Sequence, residues 1–283
     1  MLNKLRWMIV TVGALVLTTA GIHAFDYQEE LRHALLGSAL LGYEGSSSKC
    51  PGDMVFVSDQ GSGFCVDTYE ASPGGDCVHT NPTNQQETQA NFSRPDCAPV
   101  SIVGVPPWTN ISRQEAELAC VRAGKRLPTN SEWYRAALGT PDKNSGWSKE
   151  DCNVNSVGAS KPDVTGAREL CHSAAGAYDM IGNVWEWQQE TIQDGVYKNR
   201  ALPEAGYILS IDDAGIPVET DPRNSVTSLF ADYFWVDAEG VRGMFRGGYW
   251  GNKSDAGQYA LNVTVPTSFV GAAVGFRCVK NVE

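Results

Sequence analysis

The segment AGKRLPTNSEWYRAA, residues Ala123 to Ala137, contains the strongest local structural signal in this sequence. Thr129 followed three residues later by Glu132 is a capping box, in which each side chain accepts a hydrogen bond from the other residue's backbone amide. The box stands directly before the helix-forming run SEWYRAAL, and Gly139 follows as a helix-ending residue. The segment therefore predicts a short helix over SEWYRAAL.

A second helix and a β-hairpin are predicted upstream of this segment. Ser112 and Glu115 form another capping box ahead of EAELACVRA, and Gly124 ends that helix. MVFVSDQGSGFCVDTYEAS, Met54 to Ser72, alternates apolar and polar residues around two glycines, which predicts a hairpin. Residues Pro73 to Pro99 are rich in Gly, Asn, Pro and Thr, which indicates a loop. With 29 Gly, 14 Pro and short strand-like pieces elsewhere, the predicted fold class is α+β with a high loop content.

The charge balance excludes one class of partner. The 283 residues include 22 Lys and Arg against 33 Asp and Glu, which gives a net charge of −11. Nucleic acid is therefore not expected as a partner, because phosphate contacts require clustered Lys and Arg. The acidic excess fits a soluble surface that repels other copies of itself.

The N-terminal region is predicted to be a targeting segment followed by a connector. A positively charged start precedes the apolar run Trp7 to Ala24, which ends in small residues. This pattern predicts a signal peptide at residues 1–24, and an uncleaved membrane anchor through residues 7–24 is the alternative, because the run is almost long enough to span a bilayer. Phe25 to Tyr43 has helical spacing and Gly45 to Lys49 resembles a linker, so the folded domain is expected at residues 50–283. Both interpretations export that domain, to the cell surface or the extracellular space.

The eight cysteines all follow the targeting segment, and an even number in an exported chain suggests disulfides. A zinc site is not favoured, because no two cysteines have C-x-x-C spacing and the four histidines are scattered. Spacing alone does not prove a pairing, although local pairs are the simplest arrangement. That arrangement gives Cys50–Cys65, Cys77–Cys97 and Cys152–Cys171, and it leaves Cys120–Cys278 as a long-range disulfide.

Five ordered motifs together resemble a known family. They are FCVDTYEAS (Phe64 to Ser72), AGKRLPTNSEWYRAA, YDMIGNVWEW (Tyr178 to Trp187), RGGYW (Arg246 to Trp250) and GFRC (Gly275 to Cys278). In this order they resemble the formylglycine-generating enzyme family, also called the sulfatase-modifying factor family. The resemblance implies a disulfide-stapled, loop-rich variant of the C-type lectin fold. It also pairs the cysteine after GFR, Cys278, with one in the first helix, Cys120.

The resemblance implies where catalysis would occur. Enzymes of this family oxidise a cysteine in a sulfatase with two copper-binding cysteines after the RGG motif, and soft thiolates suit Cu(I). Asn252 and Gly257 stand at the matching positions, and neither can bind copper in that way. The iron-dependent branch of the family needs a histidine-rich site, which four scattered histidines do not supply. No catalytic residue and no copper are therefore expected.

A non-catalytic branch of the family fits the C-terminal sequence better. From about Gly206 onward the chain resembles the variable proteins of diversity-generating retroelements, in which mutagenic reverse transcription rewrites the segment between RGG and GFR. Here that segment, Arg246 to Cys278, is called the cassette, and it mixes aromatic with adaptable polar residues as binding surfaces do. Ordinary packing is the alternative for its aromatic residues. The candidate ligand-binding residues are Tyr249, Trp250, Asn252, Lys253, Ser254, Asp255, Gln258, Tyr259, Asn262, Thr264 and Phe269.

The resemblance further implies a calcium site. It would use the side-chain oxygens of Asp179 and Glu186 with the backbone carbonyls of Gly182 and Val184, an all-oxygen set that suits Ca²⁺. A second site of the family would involve Asn153. The alternative is that Asp179 caps a turn and that Glu186 forms an ion pair with an arginine.

The sequence thus predicts an exported, non-enzymatic protein that binds a protein or glycan ligand at a cell or phage surface. The sugar-binding tripeptides of ordinary C-type lectins do not occur in the chain. Arg246 and Arg277, which flank the cassette, are expected to be buried and to bind several backbone carbonyls. Two alternative functions remain open: an oxidase that acts on a peptide cysteine, and a structural subunit of an envelope assembly.

Overall fold

The computed structural model describes residues 49–59, 62–154 and 161–282. The predicted targeting segment at residues 1–24, and the helix expected after it, lie outside these ranges. Within the ranges, no helix is both long enough and apolar enough to cross a membrane.

The predicted hairpin forms the first element of the domain. Strands β1 (Met54–Asp59) and β2 (Ser62–Asp67) pair antiparallel. Strand β14 (Val279–Asn281), the last of the domain, pairs antiparallel with the other edge of β2. This three-stranded sheet therefore pairs the beginning of the described chain with its end.

The segment between the first strands and the next helix is not the uniform loop that its composition predicted. It contains helix α1 (Gln85–Phe92), so that part of the prediction is wrong. The side chain of Asn84 accepts a hydrogen bond from the amide of Glu87, and the Glu87 carboxylate accepts one from the amide of Thr83. These bonds satisfy amides at the start of the helix, which otherwise lack partners. The short strands that flank the segment are β3 (Ser72–Pro73) and β4 (Pro99–Val100).

Both helices predicted from capping boxes are present. Helix α2 (Arg113–Arg122) begins after Ser112, and helix α3 (Asn130–Ala137) begins after Thr129. In each helix the box is complete, with both reciprocal hydrogen bonds formed. The local signals therefore place both helices correctly, because capping depends only on residues within one turn.

The cassette contributes strands to a nine-stranded mixed sheet. The strands are β5 (Trp185–Gln193), β6 (Val196–Tyr197), β7 (Arg200–Ala201), β8 (Gly206–Ile211), β9 (Pro217–Asp221), β10 (Tyr233–Val236), β11 (Val241–Arg246), β12 (Leu261–Val263) and β13 (Val274–Gly275). Their order in the sheet is β7-β6-β5-β11-β12-β10-β8-β9, and β13 pairs with β5. Strand β12 pairs antiparallel with β11 and parallel with β10, so the middle of the cassette lies within the sheet.

The two faces of this sheet carry different hydrophobic clusters. Leu261 and Val263 of the cassette pack with Met244 and Phe234 in one cluster. Phe245, the next residue after Met244, packs with tryptophans of β5 in another cluster. Successive side chains of a strand point to opposite faces, so one strand serves both clusters.

All four predicted disulfides are present, and none of the eight cysteines is free. The long-range bond, Cys120–Cys278, joins α2 to the residue directly before β14. The other three close short segments of 15 to 20 residues. Four disulfides in one domain indicate an oxidising compartment.

Candidate functional site

The cassette opens on backbone that only glycine fits. Gly247 and Gly248 have φ angles of 92° and 89°, in the left-handed region that side chains disfavour. A Cβ atom on Gly248 would lie 2.3 Å from the Cβ atom of Ala256, and one on Gly247 would lie 2.9 Å from the Met180 carbonyl oxygen. The glycine pair of the RGG motif therefore fixes the path of the chain between β11 and the loop that follows.

Arg246 is buried beneath the cassette and ties three segments together. Its Nε atom donates to Asn130 Oδ1 at 2.6 Å, Nη1 donates to the Tyr259 carbonyl at 3.2 Å, and Nη2 donates to the Gly215 carbonyl. Burial lowers the pKa of this guanidinium to about 10, although nearby tyrosines and carboxylates oppose the shift. The residue is structural, as the sequence predicted.

Arg277, at the other end of the cassette, forms a buried ion pair with Glu186. Its Nε atom lies 2.7 Å from Oε2 and its Nη2 atom lies 2.6 Å from Oε1. The guanidinium also donates to the carbonyls of Asp67 and Tyr178. Burial alone would lower the pKa of Arg277, but the Glu186 carboxylate outweighs it and the pKa lies above its ordinary value.

Two further buried carboxyls surround this ion pair. Asp179 Oδ2 accepts from the amide of Gly166 at 2.6 Å, and Glu70 accepts from Asn183 Nδ2 at 2.6 Å and from the amide of Val184 at 3.1 Å. Burial raises the pKa of Asp179 to about 7 and raises that of Glu70 well above its usual range. The Arg277 guanidinium thus forms an ion pair with Glu186 and also attracts the carboxyls of Asp179 and Glu70 electrostatically.

The predicted calcium ligands do not form a set of free oxygens in this arrangement. Both Glu186 oxygens accept from Arg277, and Oε2 also accepts from Trp133 Nε1 at 2.5 Å. Asp179 has a φ angle of 57° and bonds a nearby backbone amide, as a turn-capping residue does. Within the described ranges, no group of three or more His, Cys, Asp or Glu could hold a metal ion. Calcium stays a prediction, to be checked by calorimetric titration of the chelated protein.

Residues of the second predicted calcium site form hydrogen bonds within the protein, and that site stays a prediction. The Nδ2 atom of Asn153 donates to Asn183 Oδ1 at 3.0 Å. The Asn153 carbonyl accepts from the amide of Asn183, and the carbonyl of Val154 accepts from the amide of Lys253 at 2.7 Å. These bonds connect the segment before residue 155 to the cassette loop, and they give Asn153 a structural role here.

The structure places most of the candidate ligand-binding residues where a ligand could reach them. The accessible candidates lie on the loop after RGG, on β12 and in the segment that follows β12. Two of them, Lys253 and Phe269, are exposed. The others are partly exposed: Tyr249, Asn252, Ser254, Asp255, Tyr259, Asn262 and Thr264.

Trp250 and Gln258 are buried, with 9% and 7% of their surface accessible, so little of either side chain can contact a ligand, and their role as ligand contacts stays a prediction. The amide of Trp250 donates to the Asn183 carbonyl at 3.1 Å, and its ring contacts that of Tyr249 edge to face. The amide of Gln258 donates to a carboxylate of Asp142. Both residues follow glycines that draw the backbone into the core, which residue type alone does not reveal.

Two polar candidates shape the cassette backbone in addition to facing solvent. Asn252 Oδ1 accepts from the amide of Tyr249 at 2.9 Å, and Asn262 Oδ1 accepts from the amide and hydroxyl of Thr264 at 3.0 and 2.8 Å. Lys253 has a φ angle of 57° at the start of a short 3₁₀ turn. The loop conformation thus depends on side chains that also form its surface.

The accessible aromatic candidates do not share one packing surface. Tyr249 packs at the edge of the cluster that contains Phe245, whereas Tyr259 packs at the edge of the opposite cluster. The ring of Tyr259 lies 6.0 Å from that of Tyr134 on α3. The two tyrosines therefore occupy separate positions rather than a single patch.

A row of aromatic rings outside the cassette was not predicted. Tyr207 lies on β8, Tyr233 and Trp235 lie on β10, and all three are half-buried. The ring centroids of Tyr207 and Tyr233 are 5.2 Å apart, and those of Tyr233 and Trp235 are 4.8 Å apart. Trp235 is the register partner of Asn262 in the parallel pair of β10 and β12. The alternating aromatic residues of DYFWV are a signal that could have revealed this neighbour of the cassette.

The position of the second family cysteine is filled from outside the cassette. A Cβ atom on Gly257 would lie 2.0 to 2.2 Å from three atoms of the Asp232 carboxyl group. Asp232 is fully buried, and its Oδ2 atom accepts from the amide of Tyr259 at 2.7 Å. Any side chain at position 257 must displace this carboxyl.

Comparison with known proteins identifies related sequences. The family model for the sulfatase-modifying factor enzyme 1-like domain matches residues 56–282. The serine/threonine-protein kinase Pkn1 of Chlamydia trachomatis serovar L2 is 28% identical over 161 residues, which are 56% of this chain and 22% of that protein. The hercynine oxygenase of Mycobacterium tuberculosis is 38% identical over 89 residues, 29% of this chain and 21% of the relative. The inactive C-alpha-formylglycine-generating enzyme 2 of Bos taurus is 31% identical over 120 residues, 38% of this chain and 40% of the relative. The matches thus span roughly a fifth of the length of the first two relatives.

Solved structures with a similar chain path include two proteins of low sequence identity. The Major Tropism Determinant M1 variant aligns with a TM-score of 0.46 and 18% identity, over 82% of this chain and 53% of that chain. Treponema denticola variable protein 1 aligns with a TM-score of 0.43 and 16% identity, over 80% of this chain and 91% of the other.

Proposed function

Since the chain belongs to the sulfatase-modifying factor enzyme 1-like domain family, we propose that it keeps the scaffold of that family and uses it to bind a ligand without catalysis. The observation that carries this proposal is the state of its cysteines. All eight lie in disulfides, so no thiolate is available to bind copper or to attack a substrate.

The cassette has the properties of a binding surface held by a rigid frame. Its ends are fixed by the buried Arg246 and Arg277, and its last residue is crosslinked through Cys278. Between these anchors, Lys253 is exposed and Tyr249 is half-buried. A rigid tyrosine supplies contact area at a low cost in side-chain entropy, and polar neighbours supply adaptable hydrogen bonds.

We further propose that the protein is the variable protein of a diversity-generating retroelement. An accessible side chain such as Lys253 can change without altering the hydrophobic clusters, and Tyr249 and Tyr259 pack only at the cluster edges. In contrast, Leu261, Val263 and Phe276 are fully buried members of those clusters. A protein of this kind would be exported to the cell surface, either freed by cleavage or tethered through residues 7–24. Its ligand would be a protein or a glycan at a cell or phage surface.

The oxidase is the second candidate, because the family includes enzymes, and the test is direct. The purified protein, incubated with Cu(I), oxygen and a cysteine-containing peptide, is expected to consume no more oxygen than the peptide and copper alone. An active formylglycine-generating enzyme serves as the positive control. Binding of one copper per chain together with peptide-dependent oxygen uptake would contradict the proposal. A structural envelope role would instead be supported by stable self-assembly of the exported chain in the absence of any ligand.

A further inference from the structure

Two acidic residues from outside the cassette hold consecutive amides at its centre. Asp142, which follows α3, accepts from the amide of Gln258 through Oδ2 at 3.0 Å. Asp232, which precedes β10, accepts from the amide of Tyr259 through Oδ2 at 2.7 Å, and the next amide, that of Ala260, donates to the carbonyl of Gly257 at 3.2 Å. The two carboxyl groups therefore bind neighbouring amides of the segment between the 3₁₀ turn and β12, and the charge of Asp142 acts on Asp232.

Among the residues that the structure describes, no cationic side chain is hydrogen-bonded to this acid pair. The Oδ1 atom of Asp232 is buried and has no hydrogen-bond partner within the described ranges. Oδ1 of Asp142 accepts from the amide of Lys143, but the ammonium group of Lys143 lies 2.6 Å from Asp151 instead. The cluster thus contains carboxylate acceptors, backbone donors and one acceptor oxygen without a donor.

The other charged and titratable groups that face the pair do not neutralise it. Arg246 on β11 attracts Asp232 electrostatically, but its hydrogen bonds go to an asparagine and to backbone carbonyls. The phenol of Tyr259 faces both acids; burial raises its pKa, and the charges of Tyr134, Asp232 and Asp142 raise it further. At neutral pH these phenols are uncharged, and Arg246 is the cation that acts on Asp232.

Burial and mutual repulsion both favour a proton on this pair. Burial raises the pKa of Asp142 to about 7, and its bonds to the amides of Gln258 and Lys143 oppose the rise. Burial and the charge of Asp142 raise the pKa of Asp232 well above its usual range. Asp232 is fully buried and Asp142 is half-buried, and two neighbouring carboxylates with little access to water are unfavourable unless one of them is protonated. A shared proton would also give Asp232 Oδ1 the donor that it lacks.

We propose that Asp142 and Asp232 share one proton at and below neutral pH, and that this carboxyl–carboxylate pair locks the centre of the cassette in a pH-dependent manner. When the proton is lost, two adjacent charges lie under the backbone of residues 258–260, and that segment opens more often. The lock itself does not depend on the proposed function. Its consequence, stronger ligand binding in mildly acidic than in alkaline solution, rests on that function.

A metal ion fits this cluster less well than a proton. Several backbone N–H groups already point at the two carboxyls, and their positive ends repel a cation. The pair supplies only two acidic side chains, whereas calcium takes six to eight oxygen ligands. A proton needs only one donor site and one acceptor site, which the pair provides.

The lock is tested by amide hydrogen exchange of the exported domain at pH 6 and pH 8, after correction for intrinsic exchange rates. In the open state the acids titrate near their ordinary pKa, so between about pH 4 and pH 7 the closed state binds the extra proton. Its stability relative to the open state therefore falls as pH rises. We expect protection of the Gln258, Tyr259 and Ala260 amides to fall about tenfold from pH 6 to pH 8. At pH 6, which is one unit below the raised pKa, the extra proton stabilises the closed state about tenfold, and at pH 8 this stabilisation is lost.

Matched variants separate the lock from general pH effects. Asp142→Asn cannot ionise, and its amide can donate to Asp232, so the pH dependence of protection is expected to be smaller in this variant than in the wild type, with the buried Asp232 as the remaining titrating group. Asp76→Asn, which removes an exposed carboxylate from the segment before α1, is expected to retain the wild-type pH dependence. Carboxyl ¹³C resonances supply a second readout: a resonance that titrates near pH 7 in the wild type is expected to be absent from Asp142→Asn, whereas that of Asp179 remains.

Three results would overturn the proposal. The first is titration of every aspartate below about pH 5 with unchanged protection. The second is an Asp142→Asn variant that folds and keeps the full pH dependence of the wild type. The third is restoration of protection at pH 8 by added calcium, which would assign the pair to a metal. Failure of ligand binding with an intact pH-dependent lock would count against the proposed function alone.

Discussion

Replacing Arg277 with methionine is expected to cost about 3–5 kcal/mol of unfolding free energy, because removing one partner of a buried ion pair leaves the other charge uncompensated. Here the loss affects Glu186 directly, and it also removes the cation that acts on Glu70 and Asp179. Two backbone carbonyls lose their donors as well. The measurement is chemical denaturation at pH 7, or secretion yield if the variant does not fold.

The control is an ion pair of the same type on the surface. Glu117→Gln breaks the Arg113–Glu117 pair on α2, in which the carboxylate is 44% exposed. This change is expected to cost less than about 0.5 kcal/mol, as exposed pairs four residues apart in a helix do. Equal effects of the two substitutions would contradict the assignment of Arg277 as a structural anchor of the cassette.

Restoring the second family cysteine is expected to disrupt the cassette rather than to create a copper site. Gly257→Cys places a Cβ atom 2.0 Å from Asp232 Oδ1, so the carboxyl must move. Overpacking of this kind costs about 1–3 kcal/mol. Loss of the bond from the Tyr259 amide to Asp232 adds about 1–3 kcal/mol, since it leaves a buried group unpaired. Thermal unfolding of the variant with its native disulfides intact measures the sum.

Two further variants show whether space at position 257 is the cause. Asn252→Cys restores the other family cysteine at a partly exposed position, and it is expected to cost only about 1 kcal/mol through loss of the bond to Tyr249. Adding Asp232→Gly to Gly257→Cys removes the clashing carboxyl and should recover part of the stability, a coupling that a double-mutant cycle measures. A Gly257→Cys variant as stable as the wild type would show that this position accepts a thiol freely.

The features that local sequence could predict were those encoded within a few residues. The capping boxes at Ser112 and Thr129 each lie within one helical turn, and both helices begin where the boxes predict. The three local disulfides close short segments, and the family resemblance supports the long one. Helix α1 was missed because its composition is that of a loop, although Asn84 and Glu87 provide a cap.

The contacts that define the candidate site are mostly long-range. Asp232 lies 25 residues from Gly257, and Asp142 lies 116 residues from Gln258, so no local pattern could bring these residues together. Burial of Trp250 and Gln258 likewise results from the path that the glycines impose on the chain. Residue type predicted that the cassette mixes aromatic and polar side chains, whereas three-dimensional packing decides which of these side chains reach solvent.

The central claim is that a fixed framework presents exchangeable side chains, and sequencing the cassette DNA across many cells of the source population tests it most directly. The account predicts variation at codons for accessible residues such as Tyr249, Lys253 and Asn262, and constancy at Gly247, Gly248 and Gly257, where the backbone leaves no room. It also predicts a near-copy of this DNA beside a reverse transcriptase gene, differing mainly at adenines. An identical cassette in every cell without such a copy, or changes spread evenly over buried and accessible codons, would contradict it.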